Sequence, residues 1–361
     1  MSRIFLSPPK VAGNEERYLR EAVESNWIAP LGPFVERFEA DLRRVTGARH
    51  CVALASGTSA IHLGLLAAGV RPGDLVAVSD LTFVASVNAV SYCGARPLLV
   101  DSDPETGTMD PAALERALAG RKVAAVVPVH LYGMPCDMDA IVRIASAAGV
   151  PVVEDAAESL GSTWNGRACG TVGQSGALSF NGNKIVTTSG GGALLTDDDE
   201  VERKARHLAT VARVPAPWFE HDAVGYNYRL SNLLAAVGCA QLEELDVRVE
   251  ARRALFDAYS AEMARFGAVG QAERKEARSN RWLPAFFLPE GKTRDRICAA
   301  LSDADIESRY CWKPMSLQAP YRDGTVSPVS NDLFERGLCL PGGVVVGSEE
   351  YERVVKVLRS V

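Results

Sequence analysis

Ser179-Phe180-Asn181-Gly182-Asn183-Lys184, running on through Ile185-Val186-Thr187-Thr188-Ser189 to Gly190, Gly191 and Gly192, is the stretch on which the reading of this chain turns. One lysine closes a short apolar run (Ala177, Leu178, Phe180), sits among small polar residues and precedes three glycines that let another group approach the backbone. A lysine that leaves a strand into such a loop can have its amine held away from water. Desolvation disfavours the ammonium, and a neutral amine is what a Schiff-base lysine needs. Taken alone, the residue reads more simply as an exposed loop lysine, so the rest of the chain has to decide.

Upstream of the lysine, short β-rich runs alternate with helical patterns. Cys51–Ala55, Leu75–Val78, Pro97–Val100, Val123–Val129 and Val150–Val153 read as strands. Helices are expected at 14–25 with Asn14 as N-cap, at Phe34–Val45, Ile61–Ala68, Phe83–Tyr92, Pro111–Leu118 and Met138–Ala148. Such alternation predicts an α/β fold: a large, mostly parallel sheet with helices on both faces. Ligand groups gather at the carboxyl ends of the strands in such sheets, where Ser56, Asp80, His130 and Asp155 fall. Past the lysine, 198–212 reads as a helix, Arg213–Asp222 as a loop, and Leu233 to about Phe266 as one long helix. Beyond Phe266 the composition shifts. Leu283–Leu288 reads as a strand and Arg294–Asp303 as a helix, which gives a smaller α+β domain over 246–361 after a large one over 1–245.

Composition sets the outer bounds. The 361 residues are 47% hydrophobic and 23% charged, with a formal net charge of -6 and no Lys/Arg run, so no basic field recruits nucleic acid. The eight cysteines are scattered without a C-x-x-C pair, which reads as a reduced chain with neither a disulfide framework nor a metal site. No apolar run approaches the roughly 20 residues that span a bilayer, and the first ten residues do not form a signal peptide. The expected setting is the cytoplasm, with no membrane association.

Two further features join the lysine. Ser56-Gly57-Thr58-Ser59-Ala60 stands between a strand and an apolar helix, where free amides and the helix dipole favour an anion; Gly57, Thr58 and Ser59 form a phosphate-site candidate, although the same residues are also good capping chemistry. Asp155 ends a buried strand and needs a donor; it either caps the following segment or holds a ring nitrogen protonated. A phosphate grip, an acid for a ring nitrogen and an imine-forming amine are together the parts of pyridoxal phosphate chemistry, and Phe83 is available to cover the ring. His62, His130 and His207 read as packed or solvated, and Asp197-Asp198-Asp199-Glu200 as a helix start.

These residues sit in motifs that resemble the DegT/DnrJ/EryC1/StrS nucleotide-sugar aminotransferases, whose fold is the type I aspartate-aminotransferase fold. The motifs are Ala55–Ala60, Thr82–Ser86, Glu154–Gly161, Ser179–Lys184, Tyr226-Asn227-Tyr228-Arg229-Leu230 and Trp312-Lys313-Pro314-Met315. The resemblance covers essentially the whole chain. It implies Lys184 as the imine-forming and proton-shuttling residue, Asp155 on the pyridine nitrogen, Gly57, Thr58, Ser59 and Ser179 at the phosphate, Phe83 over the ring and Glu158 near the 3-hydroxyl. Asn227 would reach the cofactor of a partner subunit, which implies a homodimer with shared sites. Trp27, Ile28, Asn181, Arg229, Lys313 and Met315 would face the substrate.

The activity so implied is transfer of the amino group of L-glutamate to a keto nucleotide sugar. The lysine loop and Ser25–Gly32 look most like enzymes that aminate UDP-4-keto-6-deoxy-N-acetylglucosamine at C4, giving UDP-4-amino-4,6-dideoxy-N-acetylglucosamine. A GDP-linked (perosamine-type) or C3-keto acceptor is the alternative, and a non-catalytic cofactor-binding regulator a remote one. Ser316 departs from the pattern, which has histidine at that position.

Overall fold

The computed structural model describes residues 2–11, 13–322 and 324–361. Valine-rich runs such as Leu75–Ser79 and Val123–Val127 are too short for helices, and each forms a strand. One part of the main sheet has the order His50–Leu54, Gly192–Thr196, Ser175–Ser179, Val153–Asp155; the other has Arg96–Val100, Leu75–Ser79, Val123–Val127. Parallel bridges from Val126 to Val152 and from Val129 to Asp155 join the two. Its ladders are parallel except those of Gly192–Thr196, which runs against both neighbours. The predicted large, mostly parallel sheet is therefore present, and Asp155 and Ser179 end neighbouring parallel strands at the same edge of it.

Two helices are apolar nearly all round and lie buried. Gly57–Ala67 packs over the strands that carry Asp155 and Ser179, and Asn232–Glu243 packs against the helices Glu15–Glu24 and Pro33–Thr46. Helices nearer the surface are amphipathic: Asp199–Ala209 buries Val201, Ala205 and Leu208, and Asp198 caps it by accepting the amides of Glu200 and Val201. The acidic run is thus a helix start, as expected.

The structure differs from the sequence expectation in several places. The long helix is broken at Glu244 (φ −103°, ψ 7°) into Asn232–Glu243 and Leu245–Met263, with a further turn at Ala264–Phe266. The first piece is enclosed and the second carries the chain toward another layer, so packing overrides propensity there. The strand expected at Val150–Val153 is shifted to Val153–Asp155, because Pro151 has no amide for the ladder. Within the loop 213–222, Arg213–Val214 pairs with Glu220–His221 as a small hairpin. Asn14 precedes the first helix without capping it; its side chain donates instead to Glu243.

The C-terminal part holds an antiparallel sheet in the order Val269–Gly270, Ala285–Phe287, Gly337–Cys339, Arg309–Tyr310. Gly291–Asp303 and Glu349–Ser360 cover it around Phe286, Leu301 and Leu358. Ile4 joins this core through a parallel bridge to Ile306, which carries Ser7 and Pro8 past the lysine loop.

Candidate active site

A cavity of about 340 Å³ opens at the carboxyl edge of the sheet. Gly57, Thr58, Phe83, Asp155, Glu158, Ser179, Asn181 and Lys184 all line it, so the parts expected from the sequence meet in one place.

The helix Gly57–Ala67 presents its N-terminus to this cavity. Ser56 caps the helix by accepting the amide of Ser59, and the two hydroxyls are 2.8 Å apart. Ser59 is therefore engaged in the cap and does not line the cavity. The amides of Gly57 and Thr58 lie ahead of it with no hydrogen-bond partner among the described residues, which leaves them for an anion. A Cβ on Gly57 would stand 2.9 Å from Cβ of Ser179, so only glycine lets the helix start close on the strand end.

Asp155 is buried and accepts two hydrogen bonds, from the Ser86 hydroxyl at 2.6 Å on Oδ2 and from the Ala157 amide at 3.1 Å on Oδ1. Thr82 lies 2.7 Å behind Ser86, so with Ser86 donating to Asp155 the Thr82 hydroxyl donates to Ser86. One oxygen caps the following turn, and lone pairs remain for a donor in the cavity. Beneath it, His130 donates its amide to the Asp155 carbonyl (3.0 Å) and faces Glu154 across 2.9 Å, both side chains inaccessible to solvent. His130 Nδ1 accepts the amide of Cys136, so Nε2 carries the proton that is donated to the Glu154 carboxylate. Its role is structural, as expected.

Lys184 Nζ lies 3.7 Å from Oε1 of Glu158 and 4.0 Å from the ring centroid of Trp282. Burial lowers the lysine pKa, while Glu158 and Asp155 oppose that shift. Burial also raises the Glu158 pKa, against the pull of Lys184 and the Tyr132 amide, which donates to Oε2 at 2.6 Å. The loop itself is tied down at Asn183, whose carbonyl accepts from Trp282 Nε1 (2.7 Å) and from the Ser7 hydroxyl (2.8 Å). Phe83 is 51% exposed and tilted against Trp312, with centroids 5.4 Å apart, so one ring face is open to the cavity.

The remaining predicted residues lie outside this cavity in the chain itself. Trp27 and Ile28 are exposed on their loop, which Asn232 fixes through the Trp27 carbonyl. Asn227 and Lys313 are exposed, and Arg229 pairs its backbone with Leu54. Met315 is buried among apolar side chains, with no face to the cavity. Ser316, in the histidine position, is buried beneath Asp80, to which its amide and hydroxyl both donate at 2.7 Å. Trp282 and Tyr132 carry no signal in the sequence alone and are brought to the site from distant segments by the topology, and Ser86, although within the Thr82–Ser86 motif, meets Asp155 only through the fold.

Residues 9–359 match the model of the DegT/DnrJ/EryC1/StrS aminotransferase family. The chain is 46% identical over 368 residues to a Bacillus subtilis (strain 168) protein described as a pyridoxal phosphate-dependent aminotransferase, EpsN, covering 99% of this chain and 95% of that one. It is 38% identical to the GDP-perosamine synthase of Caulobacter vibrioides, covering 100% and 99% of the two chains. Among solved structures it is similar to the sugar aminotransferase Spr1654 of Streptococcus pneumoniae in its PLP form, with a TM-score of 0.92, 25% identity and coverage of 99% and 98%. The bare helix start, the spare lone pairs on Asp155 and the buried amine of Lys184 fit pyridoxal phosphate, in phosphate, ring nitrogen and aldehyde respectively.

Proposed function

The chain belongs to the DegT/DnrJ/EryC1/StrS aminotransferase family and is a pyridoxal phosphate-dependent sugar aminotransferase; on that premise we propose that it moves the amino group of L-glutamate to C4 of UDP-4-keto-6-deoxy-N-acetylglucosamine. The observation that carries the chemistry is the convergence of Lys184, Asp155 and the helix start at Gly57 on one cavity. Bound pyridoxal phosphate supplies the electron sink for the carbanion left when a substrate carbon loses its proton. This chain's residues do the rest. Gly57 and Thr58 hold the phosphate with their amides and Ser179 with its hydroxyl. Asp155, oriented by Ser86 and Thr82, keeps a ring nitrogen protonated.

Lys184 Nζ, whose pKa is lowered by burial, would move the proton between the donor carbon and the bound cofactor. Glu158, whose pKa is raised by burial, would lie near the cofactor's 3-hydroxyl, where a shared proton would relieve the repulsion between two anionic oxygens. Phe83 covers one ring face. Trp27, Ile28, Asn181, Arg229 and Lys313 are assigned to the nucleotide sugar, with Asn227 serving the site of a partner in a homodimer. The proposed setting is the cytoplasm, and among the described residues no helix is long and apolar enough to cross a membrane.

A GDP-linked acceptor is the second reading, favoured by the similarity to GDP-perosamine synthases. Turnover of the two 4-keto sugars with glutamate separates them. UDP-4-keto-6-deoxy-N-acetylglucosamine is expected to be the better acceptor, and equal or better turnover of GDP-4-keto-6-deoxymannose overturns the nucleotide assignment.

A further inference from the structure

Lys184 lines a second cavity, of about 210 Å³, which the chemistry above does not use. Its other walls come from Pro8–Lys10, the helix Leu245–Met263 and the loop Gly342–Val345. Among the described residues, Lys10, Arg248 and Arg252 bring three cations to it besides the amine of Lys184, against the single acid Glu244. Nη1 of Arg252 and Nε of Arg248 are closed to solvent and have no hydrogen-bond partner among the described residues. Among the described residues Arg252 has only a 3.5 Å contact from Nη2 to the Ser7 hydroxyl, and Arg248 donates from Nη2 to the Lys10 carbonyl. Neither guanidinium has a carboxylate within ion-pair distance among the described residues, although Glu15 and Glu244 act on Arg248 from further away.

Burying a charge without a counter-ion is costly, and two unpaired guanidinium groups side by side raise that cost. Burial and the neighbouring Arg248 push Arg252 down to about 10. A Cβ on Gly342 would lie 2.5 Å from Arg252 Nη1, so this wall is bare backbone that admits the guanidinium and leaves it unpaired.

We propose that Arg252 and Arg248 form an oxyanion subsite beside Lys184, which binds an anionic group of one of the two substrates. A guanidinium fork matches either a carboxylate or a diphosphate in a bidentate manner. The ligand is therefore a carboxylate of the dicarboxylic amino donor or the diphosphate of the nucleotide sugar. Naming these two sources rests on the aminotransferase reading; the anion site itself does not.

The test is a thermal melt of the holoenzyme, in which cofactor phosphate already fills the helix-start site. Glutarate and inorganic pyrophosphate are compared, each against potassium chloride at matched ionic strength. The wild type is expected to gain stability from at least one of the two: glutarate identifies the donor carboxylate, pyrophosphate the diphosphate. Arg252→Met, which removes an unpaired charge, is expected to melt no lower than wild type without ligand and to lose the anion-dependent rise, weakening apparent affinity at least tenfold. No rise in the wild type, or a full rise in Arg252→Met, overturns the site. If Arg252→Met does not fold, Arg248→Gln takes its place, with a full rise again overturning the proposal. Glutamate that fails to bleach the visible band of the wild type counts against the donor assignment alone.

Discussion

Lys184 is a cation only at a cost, and that cost is measurable in the stability of the cofactor-free protein. Its pKa is lowered in the fold, so at alkaline pH the unfolded chain binds more protons than the native one. Native stability is then expected to rise with pH through the window between the lowered value and the ordinary lysine range. Lys184→Met is expected to flatten that rise, as read by urea unfolding of the apoprotein at successive pH values; an unchanged slope would show that the amine is not desolvated. Ser316 makes a different prediction, because it bonds Asp80 where the related pattern has histidine. Burial raises the Asp80 pKa and the Ser316 hydroxyl offsets that shift. Ser316→Ala removes one donor from a buried carboxylate and is expected to cost about 1–3 kcal/mol, visible in the denaturation midpoint, with KM for the sugar unchanged. A large change in KM would instead put Ser316 in the substrate pocket.

At the scale of elements, the site depends on a helix start pressed against a strand end. Gly57→Ala would set a methyl 2.9 Å from Cβ of Ser179 and 3.3 Å from the Leu178 carbonyl, so helix and strand must part. The expected result is at least tenfold weaker binding when the apoprotein is titrated with pyridoxal phosphate, with melting changed far less; unaltered affinity would mean that the helix start does not hold the phosphate. Much of this level was legible in the sequence. The strands ending near Ser56, Asp155 and Ser179, and the glycine turns beside them, are local patterns in which period and punctuation agree. The break at Glu244 was not legible, because Leu233–Phe266 is helical by local preference and only its two different packing environments divide it. Trp282 under Lys184 and Ser86 on Asp155 were not legible for another reason: they lie 98 and 69 positions from the groups they serve, and no local pattern encodes such contacts.

At the scale of the whole molecule, several residues of the matching motifs stand away from the cavity. Asn227 is exposed and its backbone is bridged to Thr210, yet it shares a five-residue segment with Leu230, which packs beside Gly191 of the lysine loop. The nearby hairpin carries Trp218 and Phe219, 65% and 77% exposed, next to Val224 at 85%. Apolar groups displayed together in this way are the kind of surface that a symmetric partner covers. If a twofold partner completes the site, Lys184 of one subunit works with Asn227 of the other, and defects in these two residues must complement. In a dimer formed from one Lys184→Ala subunit and one Asn227→Ala subunit, one site holds both defects and the other holds none. Random reassociation of equal amounts makes half of the dimers mixed, each with one sound site in two, so about a quarter of wild-type turnover should return from inactive parents. Recovery is measured after denaturing and refolding the two variants together, with each refolded alone as control. No recovery, with mixed dimers demonstrated by differently tagged subunits, would mean that both residues serve the same subunit's site and that the shared-site arrangement is wrong.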